Sequence, residues 1–397
     1  MPSSLPEGEI PPADGSLPET TLTNIGNIPF SFYLHVPYCK SRCGYCDFNT
    51  YVQKELGQHD QSEWVRAAVS EIEIARQILH GVAPVETVFV GGGTPTLLPA
   101  RELRQALSAI RENFDTSPSL EVTTEANPDS VTLQSLSELR EAGFNRISFG
   151  VQSFRQHVLT VLDRTHNPDG VEQAICGAKD AGFENISIDL IYGTPGETLE
   201  DIQFSIEQFY KLDIPHISAY ALIVEDGTQL SRKVKSNQIS APDDDLMADK
   251  YELIDATLTD FGYEWYELSN WSRPGFESQH NLHYWHNHNW WGIGPGAHSH
   301  INSVRWWNVK LPHDWVSKVL QGVSPAHSRE VLSDQQRNVE RILLNIRLSS
   351  GLELKDLHRS KVEILNEAGL VEIIDDRIRL TRRGRLLADY VVRELTT

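Results

Sequence analysis

SFYLHVPYCKSRCGYC, residues 31–46, decides how this chain is read. Ser31–Val36 is a short β-branched and aromatic run, the composition of a strand. A loop follows at once and carries Cys39, Cys43 and Cys46 in a CxxxCxxC spacing. Thiolates are the usual ligands of iron–sulfur clusters. Three on one tight loop reach three corners of a cuboidal [4Fe–4S] cluster. The fourth iron has no local cysteine and stays open to a chelating small molecule, as catalytic metal sites keep one position open. Structural zinc is the alternative this spacing leaves, with nearby His35 as a fourth ligand.

Outward from this stretch, strand-like runs alternate with helical ones. The candidate strands are Ser31–Val36, Glu86–Val90, Ser119–Thr124, Arg146–Gly150, Ile186–Ile191 and His216–Ala221. Between them, Leu103, Leu107, Ile110 and Phe114 recur at spacings of three and four, which predicts a helix over 100–114. Trp64, Ala68, Val69, Ile72 and Leu79 predict another over 62–79. Strands alternating with helices imply an α/β fold with right-handed crossovers and a parallel sheet. The count fits an open (β/α)6 partial TIM-type barrel over residues 29–221, with a doubly wound sheet as the alternative. Either places ligands beyond the carboxyl ends of the strands.

The flanks differ. Residues 1–28 hold five prolines, four acidic residues and no Lys or Arg, a composition that predicts a disordered tail. Residues 222–324 lose the alternation and become rich in Trp and His. Seven of nine Trp lie between Trp265 and Trp307, and six of fifteen His between His280 and His300. This reads as an accessory segment packed on the barrel. Residues 325–397 predict helices at 335–348, around 354–357 and at 361–367. A hairpin turning at Asp375–Asp376 and a closing helix from Leu380 complete a winged-helix-like domain.

The net charge of −20 gives no basic footprint for nucleic acid. No apolar run reaches the roughly 18 residues that span a bilayer, and no secretory signal opens the chain. The other cysteine, Cys176, reads as a small buried apolar residue. Such sparse cysteine use is that of a reducing compartment, hence a cytoplasmic protein.

CxxxCxxC after the first strand of a β/α repeat is the signature of the radical S-adenosylmethionine (SAM) superfamily. The stretches YLHVPYCKSRCGYCDFNTY, VFVGGGTPTLL, TTEANPDS, RISFGVQSF, DRTHN and SIDLIYGTPGET resemble its oxygen-independent coproporphyrinogen III oxidase-like (HemN/HemW) family. YELSNWSRPGFESQHNLHYWHN and WWGIGPGAHSH are most like the HemW branch of haem chaperones. The resemblance covers about residues 29–395. It departs from the coproporphyrinogen dehydrogenases at Phe48, where they carry a further cysteine.

The resemblance implies the roles that follow. Cys39, Cys43 and Cys46 hold the cluster. Tyr33 and Tyr45 line the SAM pocket, Tyr45 against the adenine. Gly92, Gly93 and Thr94 meet the SAM methionine amino group, and Glu125 suits the ribose hydroxyls. Gln152, Arg164 and Asp189 contact SAM, with structural ion pairing or capping as their alternative. A low-potential electron donor would reduce the cluster, which cleaves the SAM sulfonium to methionine and a 5′-deoxyadenosyl radical. The HNxxYW stretch, with His280, Tyr284 and Trp285, would bind haem; the alternative is that these residues only fasten the accessory segment to the barrel.

The implied function is to bind haem and deliver it to apo-haemoproteins such as respiratory oxidases. The alternative is a coproporphyrinogen III dehydrogenase that decarboxylates two propionates. The resemblance is compatible with a homodimer and with a peripheral membrane contact.

Overall fold

Alternation along single strands builds the sheet of this protein, a computed structural model that describes residues 8–56 and 63–397. In β1 (Phe30–Val36), Phe30, Phe32 and Leu34 are fully buried. Phe114 packs on both phenylalanine rings, at centroid distances of 6.0 and 5.0 Å. Ser31, Tyr33 and His35 alternate with them and face the concave side. In register with Ser31 stand Thr87 and then Glu121, so the concave side is polar where the helix side is apolar.

Among the described residues, six parallel strands follow one another in sequence order. They are β1, β2 (Val85–Gly92), β3 (Thr116–Ala126), β4 (Arg146–Gln152), β5 (Asn185–Tyr192) and β6 (His216–Ala221). Helices α1 (Glu63–Ile78), α2 (Ala100–Asn113), α3 (Leu133–Ala142), α4 (Asp169–Asp180) and α5 (Leu199–Lys211) return the chain. The strand order never reverses, as a doubly wound sheet requires, so the winding is that of a partial barrel. Ser62, the first residue of the expected first helix, lies outside the described residues.

Cys176 corrects its reading. On α4 the buried face is Val171, Ala174, Ile175 and Ala178, and Cys176 points to solvent.

The accessory segment extends the barrel sheet at both edges. Helix α6 (Asp244–Asp260) leads to β7 (Glu264–Glu267) and β8 (Asn270–Ser272), which join β6. Helix α7 (Gln279–Trp285) then carries the chain to the other edge. There β9 (Asn289–Ile293) pairs parallel with β1, and β10 (His298–Ile301) and β11 (Val304–Asn308) continue antiparallel. Beyond α8 (Pro312–Leu320), β12 (Ala326–Val331) closes the sheet, so the break before the C-terminal unit falls after Val331 rather than at 325. Buried Glu71 on α1 ties this extension down. It accepts from Gly294 N (2.8 Å), Asn308 Nδ2 (2.7 Å) and Trp315 Nε1 (2.7 Å).

The tail is ordered over its described part, contrary to its composition. Glu9 bridges to Arg329 through the backbone and a 2.6 Å ion pair, and Ser324 N donates to Ala13 O at 2.9 Å. Its partner β12 is an edge strand, whose open backbone groups this segment covers. Residues 1–7 lie outside the described residues.

The C-terminal unit has its own core around Ile342, Ile346, Val362, Ile378 and Val391. It contains α9 (Asp334–Asn345), β13 (Leu352–Glu353), α10 (Arg359–Glu367), and the hairpin β14 (Val371–Ile374) and β15 (Arg377–Leu380). The expected helix near 354–357 is one 3-10 turn, Leu354–Asp356. The expected closing helix breaks at Leu387 into α11 (Arg382–Leu386) and α12 (Ala388–Thr396).

Asp255 on α6 fastens this unit. It takes Arg385 through both guanidinium nitrogens (2.7 Å each), Arg382 Nε (2.8 Å) and Trp271 Nε1 (3.0 Å). Removing one partner of a buried ion pair leaves the other charge uncompensated. Asp255→Ala is therefore expected to destabilise the protein by about 3–5 kcal/mol in urea unfolding.

Candidate functional site

A cavity of about 240 Å³ opens beyond the carboxyl ends of the parallel strands. Cys39, Cys43, Cys46 and Tyr45 form one wall. Gly92, Gly93 and Thr94 after β2, Glu125 of β3, Gln152 of β4, Arg164 and Asp189 of β5 form the rest. Of the residues expected at a cluster and SAM site, all but Tyr33 line this one cavity. Tyr33 lies beneath it, its hydroxyl 2.8 Å from His35 Nδ1 and its ring stacked on Phe89 at 6.3 Å.

The cysteine loop is held in place by backbone. Gly93 N donates to Val36 O (2.8 Å) and Thr94 N to Tyr38 O (2.7 Å). A side chain at Gly93 would collide with the Tyr38 carbonyl and come within 3.0 Å of Cys39 Sγ. Gly92 has φ +113, a conformation that favours glycine. The glycine run thus lets β2 approach the cysteine loop. Asn49 Nδ2 anchors the far side of the loop to Pro295 O and Lys310 O, at 3.0 and 2.9 Å.

Burial pushes the Cys39 thiol up and the Cys46 thiol up to about 11. Arg164 Nη1 donates to Cys43 Sγ at 3.3 Å. Metal binding to thiols held protonated in this way would release their protons. The donor set fits a cluster held by three cysteines. His35 does not fit as a fourth zinc ligand: its Nδ1 meets Tyr33 and its Nε2 meets Asn49 O at 3.0 Å. Among the described residues no three His, Cys, Asp or Glu side chains converge as ligands of a single ion.

Asn127 belongs to this wall and was quoted in the sequence without a role. Its Oδ1 accepts from Arg164 Nη2 (2.7 Å) and its Nδ2 donates to Thr94 Oγ1 (3.0 Å). The Asn-Pro dipeptide reads as a turn, which conceals a side chain that aligns two others. Glu125 accepts from Gly92 N at 3.0 Å, and burial followed by the Asp189 charge pushes its carboxyl up to about 7. Burial also raises Asp189, against hydrogen bonds from Ser218 and Ser148.

His280, Tyr284 and Trp285 lie apart from the cavity wall. Helix α7 enters the opposite, amino-terminal end of the barrel, where Glu121 accepts from His280 N at 3.0 Å. A continuous hydrogen-bonded chain runs from it. His280 Nε2 meets Tyr284 Oη (2.9 Å) and His280 Nδ1 meets Thr87 Oγ1 (2.7 Å). Thr87 donates to Ser31 Oγ (2.9 Å), Ser31 meets His283 Nδ1 (2.6 Å), and His283 Nε2 reaches Glu86 (3.2 Å). One direction of donation satisfies every link, from the Tyr284 hydroxyl to the Glu86 carboxylate, with both imidazoles neutral. Burial lowers His280 and His283 to about 3, in keeping with those tautomers. In this arrangement His280 and Tyr284 fasten the accessory segment to the barrel.

Comparison with known proteins fits this geometry. Residues 33–209 match the Radical SAM superfamily, and residues 332–387 match the HemN C-terminal domain. The chain is 45% identical to "Heme chaperone HemW" of Mycobacterium tuberculosis strain ATCC 25618 / H37Rv, over 92% of this chain and 95% of that protein. It is 33% identical to "Heme chaperone HemW" of Bacillus subtilis strain 168, over 91% and 97%. Coproporphyrinogen III oxidase (HemN) of Escherichia coli shares the fold, with a TM-score of 0.81 at 24% identity over 95% of this chain and 92% of that one. The chain belongs to the HemW family of radical SAM proteins.

Two expectations follow from the cavity. Gly93→Ala is expected to cost about 1–3 kcal/mol in urea unfolding, the usual range for overpacking. Glu125 binds its proton more tightly folded than unfolded, so its stabilising contribution is full below about pH 4.5 and lost as pH rises through about 7. Glu125→Gln removes that loss. Between pH 5 and 8 the variant is expected to gain on the wild type by up to about 3 kcal/mol. The buried histidines titrate alike in both proteins and cancel in the difference.

Proposed function

We propose that this protein is a haem chaperone, which binds haem and passes it to apo-haemoproteins such as respiratory oxidases. The observation that carries this reading is the HemW relationship over nine-tenths of the chain, joined to a cavity that gathers the cysteines with the expected SAM residues. Phe48 supports it over porphyrinogen decarboxylation: at the cavity mouth, 54% exposed, it offers an apolar ring where the dehydrogenases carry a thiol.

In this reading Cys39, Cys43 and Cys46 hold the [4Fe–4S] cluster, and a low-potential donor reduces it. Cluster and SAM together would supply one-electron cleavage of the sulfonium. The chain's own residues place the SAM. Tyr45 covers the adenine, the backbone of Gly92 and Gly93 with Thr94 meets the methionine end, and Glu125 meets the ribose. Gln152, Asp189 and Arg164 complete the wall, with Arg164 held in line by Asn127. Tyr33 acts from below, as the floor. A cytoplasmic location and a homodimer belong to the same reading, as does peripheral contact with a membrane where the recipients are respiratory oxidases. Among the described residues no helix is long and apolar enough to cross a membrane.

The test is anaerobic reconstitution with iron and sulfide, followed by haem titration and SAM-cleavage assays on one sample. Cys39→Ala, Cys43→Ala and Cys46→Ala are each expected to lose the brown cluster absorbance, and Cys176→Ala to keep it. A stable haem complex is expected, with no protoporphyrinogen formed from coproporphyrinogen III, SAM and reductant. A reconstituted protein that retains no haem, or that makes protoporphyrinogen, would overturn the proposal.

A further inference from the structure

Haem iron needs an axial donor that a broad planar macrocycle can reach. His280 does not meet that condition. It is 2% exposed, hydrogen-bonded at both ring nitrogens, stacked on Phe89 at 5.1 Å, and absent from the cavity wall. Ligation there would break two buried hydrogen bonds and the chain that continues from them.

The same helix ends in different surroundings. After Trp285, His286 caps α7 and Asn287 turns the chain with φ +57. His286 and His288 are thereby stacked, with centroids 5.5 Å apart and ring planes 24° apart, and His286 is exposed. Three ring atoms of this stretch are buried without a hydrogen-bond partner among the described residues: Trp285 Nε1, His288 Nδ1 and His300 Nε2. His300, itself 2% exposed, packs on Trp290 at 4.9 Å and meets His288 O through Nδ1 at 3.2 Å. Buried polar atoms are nearly always satisfied, and the unpartnered ring nitrogens of His288 and His300, residues in direct contact, call for a ligand or water. The C-terminal unit forms the other side of this seam. Asn345 Nδ2 donates to Trp285 O at 2.8 Å, and Asn287 Nδ2 reaches Glu340 at 3.5 Å.

We propose that haem docks in this seam between the end of α7 and α9, with the exposed imidazole of His286, backed by His288, as axial ligand in place of His280. The assignment rests on the haem-chaperone reading above. Its chemistry is consistent throughout. Imidazole ligates in its neutral form. Partial burial and then the Arg377 guanidinium hold His286 below its ordinary value, and burial followed by His286 lowers His288 to about 4. Arg377 on β15 brings positive charge to this seam, and a guanidinium is a suitable partner for a haem propionate. It already donates to Ser350 O and Gly351 O at 2.7 Å each, and its Nη1 stands 3.5 Å from Glu353. A ligand at the surface also suits a cargo that must leave.

The test is titration of the full-length, cluster-reconstituted protein with ferric protoporphyrin IX, read by Soret position and affinity. His286→Ala is expected to shift the Soret band and weaken binding by about tenfold or more. The double variant His286→Ala/His288→Ala is expected to lose the histidine-ligated spectrum. His280→Ala and Thr87→Val should keep the wild-type Soret position, with intact cluster absorbance showing that the barrel stands. The assignment is overturned if the double variant binds haem with the wild-type spectrum and affinity. It is also overturned if His280→Ala alone removes that spectrum while the cluster remains. A wild-type protein that takes up no haem would instead remove the haem-chaperone reading, and this assignment with it.

Discussion

Two backbone hydrogen bonds, Gly93 N to Val36 O and Thr94 N to Tyr38 O, set the geometry on which the cavity depends. They carry the parallel pairing of β1 and β2 past the end of both strands and draw the cysteine loop over the end of β2. Only a residue without a side chain fits at Gly93, because Tyr38 and Cys39 occupy the space where its Cβ would stand. At Gly91 a Cβ would instead meet side-chain atoms, Phe89 Cε1 at 2.7 Å and Glu125 Oε2 at 2.8 Å. The glycine run therefore places cysteines and carboxylate together by permitting contact between backbones. That is a different role from offering amide groups to a ligand, since the Gly92, Gly93 and Thr94 amides already donate to Glu125, Val36 O and Tyr38 O.

The barrel lumen has two ends with different chemistry. At the carboxyl end the charged and polar groups face a cavity, and Glu125 and Asp189 are carboxyls that burial pushes up. At the amino end the same strands present Ser31 and Thr87 to α7, where every link is satisfied within the protein. Tyr33 and Tyr284 stand between the two, both close enough to Glu125 to feel its charge. The inward polar positions of β1 and β2 thus serve a site at one end and a helix plug at the other. A polar lumen costs nothing in stability only when each group finds a partner, and α7 supplies those partners at the end without a cavity.

Much of this was legible in the sequence because strong periodic signals coincide with chemistry. All six barrel strands fall within three residues of their expected ends, and eleven of the twelve residues expected for the cluster and SAM meet at one cavity. Tyr33 lies on an inward strand position beneath the cavity wall, its hydroxyl turned to His35 Nδ1. Among the extension strands, β8 went unread because both of its faces are covered. Asn270, Trp271 and Ser272 are all buried, so no alternation marks them. The tail shows the converse: a Pro-rich, acidic composition permits disorder, but an open sheet edge gives an extended segment something to pair with. Cys176 turned on helical phase, since a shift of one position separates the buried Ile175 from the exposed thiol.

The C-terminal unit is held beside α7 by contacts that do unequal work. Asn345 to Trp285 is one neutral hydrogen bond at 2.8 Å. Asp255 meets two guanidiniums and an indole while almost wholly buried, and these hydrogen bonds keep its carboxyl below the usual carboxylate range against the pull of burial. Charge-assisted bidentate pairs are the stronger and more directional kind. The position of α9 against the histidines after α7 is therefore set by Asp255 and by the sheet edge, where Arg305 of β11 pairs with Glu340 of α9 and Ser349 N donates to Tyr266 O at 2.9 Å. Directly between the end of α7 and α9 stand only Asn345 Nδ2 to Trp285 O and Asn287 Nδ2 to Glu340 among the described hydrogen bonds. A surface that must accept and release a flat ligand needs such a seam, held in register by something other than the groups that line it.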